Sequence, residues 1–135
     1  MLYHILYTFS LLPLRVMFLL SDIIGFLLYH IVRYRRRLVR KQLTDSFPEK
    51  DIREIRQIEK RFYRWFCDYA METLKMLSLS EKQMRRHIVF ENMDEVNSVL
   101  AAGRSISLLL GHYCNWEWVS SIALHTPAYC AHIYH

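Results

Sequence analysis

Glycine, proline and cysteine are scarce, with three of each among 135 residues. So little glycine and proline excludes a collagen-like or low-complexity chain. Three widely spaced cysteines exclude a disulfide-stapled framework. Neither Cys-x-x-Cys nor His-Glu-x-x-His occurs. A zinc site from His112, Cys114, His125, Cys130, His132 and His135 therefore has no recognised ligand spacing behind it, and no metal is expected. Charge is also thin where it would matter most: residues 2–32 hold only Arg15 and Asp22. With 53% hydrophobic and 23% charged residues, the chain is too apolar for disorder. Its length suits one domain at most.

What is present is unevenly distributed. Pro13 divides the oily start into a short piece and Leu14–Val32, which is long enough to span a hydrocarbon core of about 20 helical residues. Arg15 and Asp22 lie seven residues apart, on nearly one helical face, so Asp22 is expected to pair with Arg15 or to face protein. No basic segment precedes the run and no Ala-x-Ala-like site follows it, so it reads as an anchor, not a secretory signal. Whether it spans or lies half-inserted stays open from sequence.

Arg33, Arg35, Arg36, Arg37, Arg40 and Lys41 come next, with no acid before Asp45. This block is a stop and orientation signal that belongs in the cytoplasm. It is also a surface for anionic headgroups or an acidic carrier protein. No helix-turn-helix, zinc-finger or RNA-binding aromatic motif accompanies it, so nucleic acid is not an expected partner.

Ser46-Phe47-Pro48-Glu49 has the form of a capping box. After it Ile52, Ile55, Ile58, Phe62, Phe66, Tyr69, Thr73, Leu74 and Leu77 recur mostly at steps of three and four, which predicts a helix from Glu49 to Leu77. Trp65, Phe66 and Tyr69 read as core packing and Cys67 as a small buried hydrophobe. Ser80 to Arg86 resembles a short capped helix or turn, and His87–Phe90 is β-prone. Asn92 opens a further helix that Gly103 closes.

Ser105–Leu110 is a short apolar run between Gly103 and Gly111, as expected of a strand buried in a parallel sheet. A helical run through Leu124, Pro127, and a second strand over Ala128–Tyr134 complete the dimensions of a βαβ unit. The expected fold is therefore α/β: a membrane-anchoring helix, a helical segment, then the first βαβ part of a mainly parallel sheet. The expected divisions are 1–32 as anchor, 33–48 as basic juxtamembrane segment and 49–135 as a catalytic portion.

Ligands of such sheets bind beyond the carboxyl ends of the strands, where His112 would stand. Glu117 follows five residues later, and no other histidine has an acid at that spacing. Within one helix the two would diverge by about 140°. With His112 in a loop and Glu117 in the first helical turn, the carboxylate can return to the imidazole, fix its tautomer and leave the other nitrogen as a base. Asn115, Trp116 and Trp118 are candidate channel residues, with packing of the first turn as the alternative. Cys114 admits a rival Cys/His nucleophile, though a cysteine beside a histidine is not a dyad without geometry.

The apolar anchor, the Arg-rich run leading to Leu43-Thr44-Asp45-Ser46-Phe47-Pro48-Glu49, the helix after it, and Gly111-His112 through Glu117 together resemble the lysophospholipid-acyltransferase superfamily. More narrowly, they are similar to the bacterial lipid A biosynthesis (lauroyl/myristoyl) acyltransferases. The resemblance implies transfer of a fatty acyl chain from an acyl-carrier-protein thioester to a hydroxyl of a lipid A precursor at the cytoplasmic face of the inner membrane. His112 would be the general base and Glu117 its orienting acid. The donor's phosphopantetheine thioester is a co-substrate, and no cofactor is implied. Membrane lipid and acyl carrier protein are the expected partners of a monomer. The resemblance covers only the first half of such an enzyme, so residues 49–135 are expected to be the N-terminal part of an acyltransferase domain, inactive or poorly folded alone. The alternatives are transfer to another lysolipid or an aminolipid, and a non-catalytic basic helical adaptor at the membrane.

Overall fold

Pro13 has no N–H to give a preceding turn and its ring fixes φ near the helical value, so it ends one helix and starts another. The computed structural model, which describes residues 1–132, has α1 over Leu2–Ser10 and α2 over Leu14–Phe26. Leu27–Val32 prolong α2 in wider π-helical geometry. Arg33 and Arg35, at φ of 55° and 51°, then turn the chain through left-handed backbone into α3, Arg36–Ser46. The long helix α4 covers Ile52–Lys75, close to the expected range, and a single 3-10 turn, Met76–Ser78, follows it.

The start of α4 differs from expectation. Ser46 is the last residue of α3. The capping box belongs to Asp51 and Glu54: Asp51 Oδ1 accepts from the Arg53 and Glu54 amides at 2.7 and 2.8 Å. The Asp51 amide donates to Glu54 Oε2 at 3.3 Å. Two sites five residues apart both offered a small polar residue followed by Glu three positions on, and the one adjoining the apolar stripe caps it.

Two compact units divide the chain, Met1–Lys75 and a second from Met76 onward. In the first, α2 packs along α4. Met17, Ser21, Gly25 and Tyr29 are buried on α2; Ile55, Glu59, Tyr63, Cys67 and Met71 are buried on α4. Both series step by four, so each is one face of its helix. Small residues at 21 and 25 let the backbones approach: a Cβ built on Gly25 would stand 3.6 Å from the Tyr63 carbonyl oxygen. Lys75 Nζ closes the far end, donating to the carbonyls of Ser10 and Leu12 at 2.7 and 2.9 Å.

The second unit holds α5, Glu81–His87, and α6, Met93–Ala101. The segment read as a short capped helix or turn is a helix, capped reciprocally by Ser80 and Gln83. Gly103, at φ 74°, ends α6: its amide donates to Leu100 and that of Arg104 to Val99, the paired bonds of a left-handed C-terminal cap. A 3-10 helix covers Trp116–Leu124. It packs against α5 through Trp118, whose ring meets His87 edge-on at 5.5 Å.

The α/β expectation fails. The described residues form helices and no strand or sheet. Ser105–Leu110 and Ile88–Phe90 are irregular, and Leu109 is 92% exposed. The connecting helix is 3-10, not α. A strand exists only through the neighbour that takes up its backbone groups, and one parallel pair is too little for a stable sheet. Ser105–Leu110 has the composition of a strand but meets no partner strand among the described residues. Of the second expected strand, Ala128 to His132 is also irregular. Its remainder, Ile133 and Tyr134, lies outside the described residues, as does His135.

Candidate active site

The stretch from Arg104 to Asn115 is held at its two ends. Gly103 fixes one. At the other, Cys114 takes left-handed backbone at φ 52°, and Asn115 leads into the 3-10 helix, its carbonyl accepting the Trp118 amide at 3.3 Å. Trp118 is buried and draws that first turn onto the second unit, while Asn115, Trp116 and Glu117 are half-buried.

His112 stands in the exposed stretch just ahead of this turn, with Gly111 and Tyr113 exposed on either side. Its imidazole meets the Trp116 indole edge-on, with ring centroids 4.6 Å apart. An aromatic edge contact limits how the imidazole can turn while leaving its approach open to solvent. Glu117 occupies the first turn of the 3-10 helix. The expected division of the pair, histidine in a loop and acid at a helix start, is thus present, although the loop does not follow a strand. Among the described residues the neighbour brought onto the His112 ring is Trp116.

Cys114 is a free, exposed thiol whose backbone turns the chain; Cys130 is free and half-buried. The described residues contain no group of three or more His, Cys, Asp or Glu side chains that could hold a metal ion. His125 sits apart from His112 in sequence and environment: its ring packs on Phe90 at 5.0 Å and its carbonyl accepts from Asn97.

The basic block divides into two kinds of residue. Arg36 and Arg40 turn inward on Glu59, a fully buried acid of α4. Arg40 Nε and Nη2 donate to Glu59 Oε2 and Oε1 at 2.7 and 3.0 Å, and Arg36 Nε donates to Oε1 at 3.1 Å. Burial pushes the Glu59 carboxyl up, but hydrogen bonds and charge from Arg40 and Arg36 outweigh it and hold the group below the ordinary glutamate value. The hydrogen bond to Glu59 raises Arg40 in turn. Arg36 also lies over the Tyr29 ring at 4.3 Å and donates to the Tyr29 carbonyl. Lys41 pairs with Asp45 on the surface of α3. Arg33, Arg35 and Arg37 are exposed.

Sequence reasoning missed Glu59 because it occupies an apolar position of the α4 stripe; an acid in step with Ile55 and Tyr63 was the available signal. Of the two expectations for Asp22, pairing with Arg15 or facing protein, the second holds: it accepts from Arg64 Nε and Nη2 of α4 at 2.8 and 3.3 Å. Burial raises the Cys67 thiol, as suits a packing residue.

A sequence model of the bacterial lipid A biosynthesis acyltransferase family matches residues 2–132. No curated protein and no solved structure matches the chain.

Proposed function

Because the chain belongs to the bacterial lipid A biosynthesis acyltransferase family, we propose that it contributes His112 and Glu117 as a general-base pair for acyl transfer to a lipid hydroxyl. The family match over residues 2–132 carries this reading; the exposed imidazole just ahead of a helix that starts with an acid supports it. The acyl donor is an acyl-carrier-protein thioester and the acceptor a hydroxyl of a lipid A precursor. The reaction takes place at the cytoplasmic face of the inner membrane.

The chemistry follows from the side chains. One imidazole nitrogen of His112 accepts the acceptor's O–H proton as its oxygen attacks the thioester carbonyl. The tetrahedral adduct collapses with loss of the carrier thiolate, which takes the proton back from the imidazolium. An ester bond forms, a thioester bond breaks, and no acyl-enzyme is made. Glu117 acts through His112: its carboxylate holds the second ring nitrogen's proton and stabilises the imidazolium. A base in this role contributes about 10²–10⁴-fold. Trp116 limits the ring's rotation, and Asn115 and Trp116 border the approach to it.

The test is acyl transfer by the membrane-embedded enzyme, with a carrier-protein thioester as donor and a lipid A precursor as acceptor. His112→Ala is expected to lower kcat by at least about 10²-fold. Activity within a few-fold of the parent would remove His112 from the chemistry. Glu117→Gln should lower kcat and Glu117→Asp should recover part of the loss, since a carboxylate stabilises the imidazolium formed in the step. Equal activity of the two variants would make Glu117 a packing residue. Cys114→Ser is expected to retain activity, because the thiol forms no bond in this scheme.

A further inference from the structure

The helix formed by Leu14–Val32 has the 19 residues that suit a bilayer crossing, about 28 Å at 1.5 Å per residue. Its surroundings argue against a crossing. One face, Met17 to Tyr29, is closed by α4. The buried face of α4 is flanked by Lys60, Arg61, Arg64 and Asp68. Arg64 reaches across to Asp22, and Asp68 accepts from the Ser21 hydroxyl at 2.6 Å. A crossing α2 would draw this charged flank into hydrocarbon, or would have to give up α4 and expose Ser21, Gly25 and Asp22 to lipid.

The face of α2 turned away from α4 carries Val16, Leu19, Ile23 and Leu27, all exposed and spaced by three, four and four residues. This stripe has no cover within the unit. At its C-terminal end the left-handed turns place Arg33, Arg35 and Arg37 in solvent, while Glu59 takes up Arg36 and Arg40. An uncovered apolar face that ends in uncovered cations is complementary to acyl chains beneath anionic headgroups.

We propose that α2 is a monotopic anchor, lying in one leaflet of an anionic bilayer with its Val16–Leu19–Ile23–Leu27 face among the acyl chains and α4 as its water-side cover. Arg33, Arg35 and Arg37 hold its end to lipid phosphates. The idea concerns membrane topology alone, so it stands or falls separately from the roles of His112 and Glu117.

The test places one reporter on each side of α2. In the full chain with Cys114→Ser and Cys130→Ser, Cys67 being buried, Leu11→Cys and Gln42→Cys are introduced singly. Each is labelled with a membrane-impermeant maleimide in right-side-out and in inside-out bacterial membrane vesicles. Both positions are expected to label from the same side. Labelling from opposite sides, or recovery of the chain in the soluble fraction, would overturn the proposal. A second measurement is flotation of the purified chain with vesicles of pure phosphatidylcholine or of phosphatidylcholine with phosphatidylglycerol. Arg33→Gln/Arg35→Gln/Arg37→Gln should weaken binding to the anionic vesicles by about a hundredfold and leave binding to neutral ones unchanged. Equal binding of parent and variant to the anionic vesicles would refute the role of the three arginines.

Discussion

Glu59 shows how one side chain reorganises the meaning of a sequence block. Six basic residues in nine positions look like a uniform cationic surface, yet two of them neutralise a buried carboxylate from a helix that starts eleven residues after the block. Removing the charge while keeping the shape strands two half-buried guanidinium groups, so Glu59→Gln is expected to cost about 3 kcal/mol of unfolding free energy at neutral pH. Denaturant titration followed by helical circular dichroism measures this; an unchanged midpoint would refute it. The pH dependence has a definite sign. An unfolded glutamate titrates at about 4.3, and Arg40 and Arg36 hold the folded one lower. The stabilisation is complete above the unfolded value and is lost as pH falls through the folded one. The parent should therefore lose stability steeply below about pH 4, and Glu59→Gln should lack that component. The place of Glu59 in step with Ile55 and Tyr63 was a signal in the residues, but its partners were not, because an acid in an apolar stripe gives no hint of which distant cations will reach it. His112 and Glu117 were readable as candidates because they stand close in sequence.

Helices were easier to read than their ends and their partners. The stripe from Ile52 to Leu77 predicts α4 well, and the start at Ser80 and the stop at Gly103 mark real termini. The start of α4 was misread because Ser46–Glu49 and Asp51–Glu54 offer the same chemistry. Asp51→Ala should lower stability by about 1 kcal/mol while Ser46→Ala changes it little, a contrast that thermal unfolding can measure. The contact of α2 with α4 makes a sharper test. A methyl on Gly25 would sit at ordinary contact distance from Tyr63 and Cys67. Gly25→Ala should thus be neutral or gain up to about 1 kcal/mol through helix propensity. Gly25→Leu should force the helices apart at a cost of about 1–3 kcal/mol. Equal stability of the two variants would contradict the packing. Strands were the least readable element: Ser105–Leu110 satisfies every local criterion, and pairing, which no local criterion contains, is what decides.

Across the molecule, burial and exposure are divided unequally. The first unit is bound by ion pairs and by hydrogen bonds between distant helices. In the second, the stretch from Arg104 to Cys114 has neither helix nor sheet, and Leu109 and Tyr113 stand in solvent. Brief digestion of the chain with chymotrypsin is expected to cut first within this stretch, before Phe62, Tyr63 or Trp65 in α4; mass spectrometry of the fragments identifies the first cut. Initial cleavage in α4 would mean that the helical unit opens more readily than its contacts imply. The family was readable because the resemblance rests on short local segments: an apolar run, an arginine cluster and the stretch from Gly111 to Glu117. The division into units was not, since it depends on which helices choose one another.

The contact of α2 with α4 has a consequence for synthesis. Ser21 finds Asp68 forty-seven positions later, and Ser10 finds Lys75 sixty-five positions later. A ribosome making this chain therefore releases its oiliest helix long before the protein that shelters it exists. During that interval α2 is an orphan in the exit vestibule, and the first surface able to receive it is a membrane or a chaperone, not its own fold.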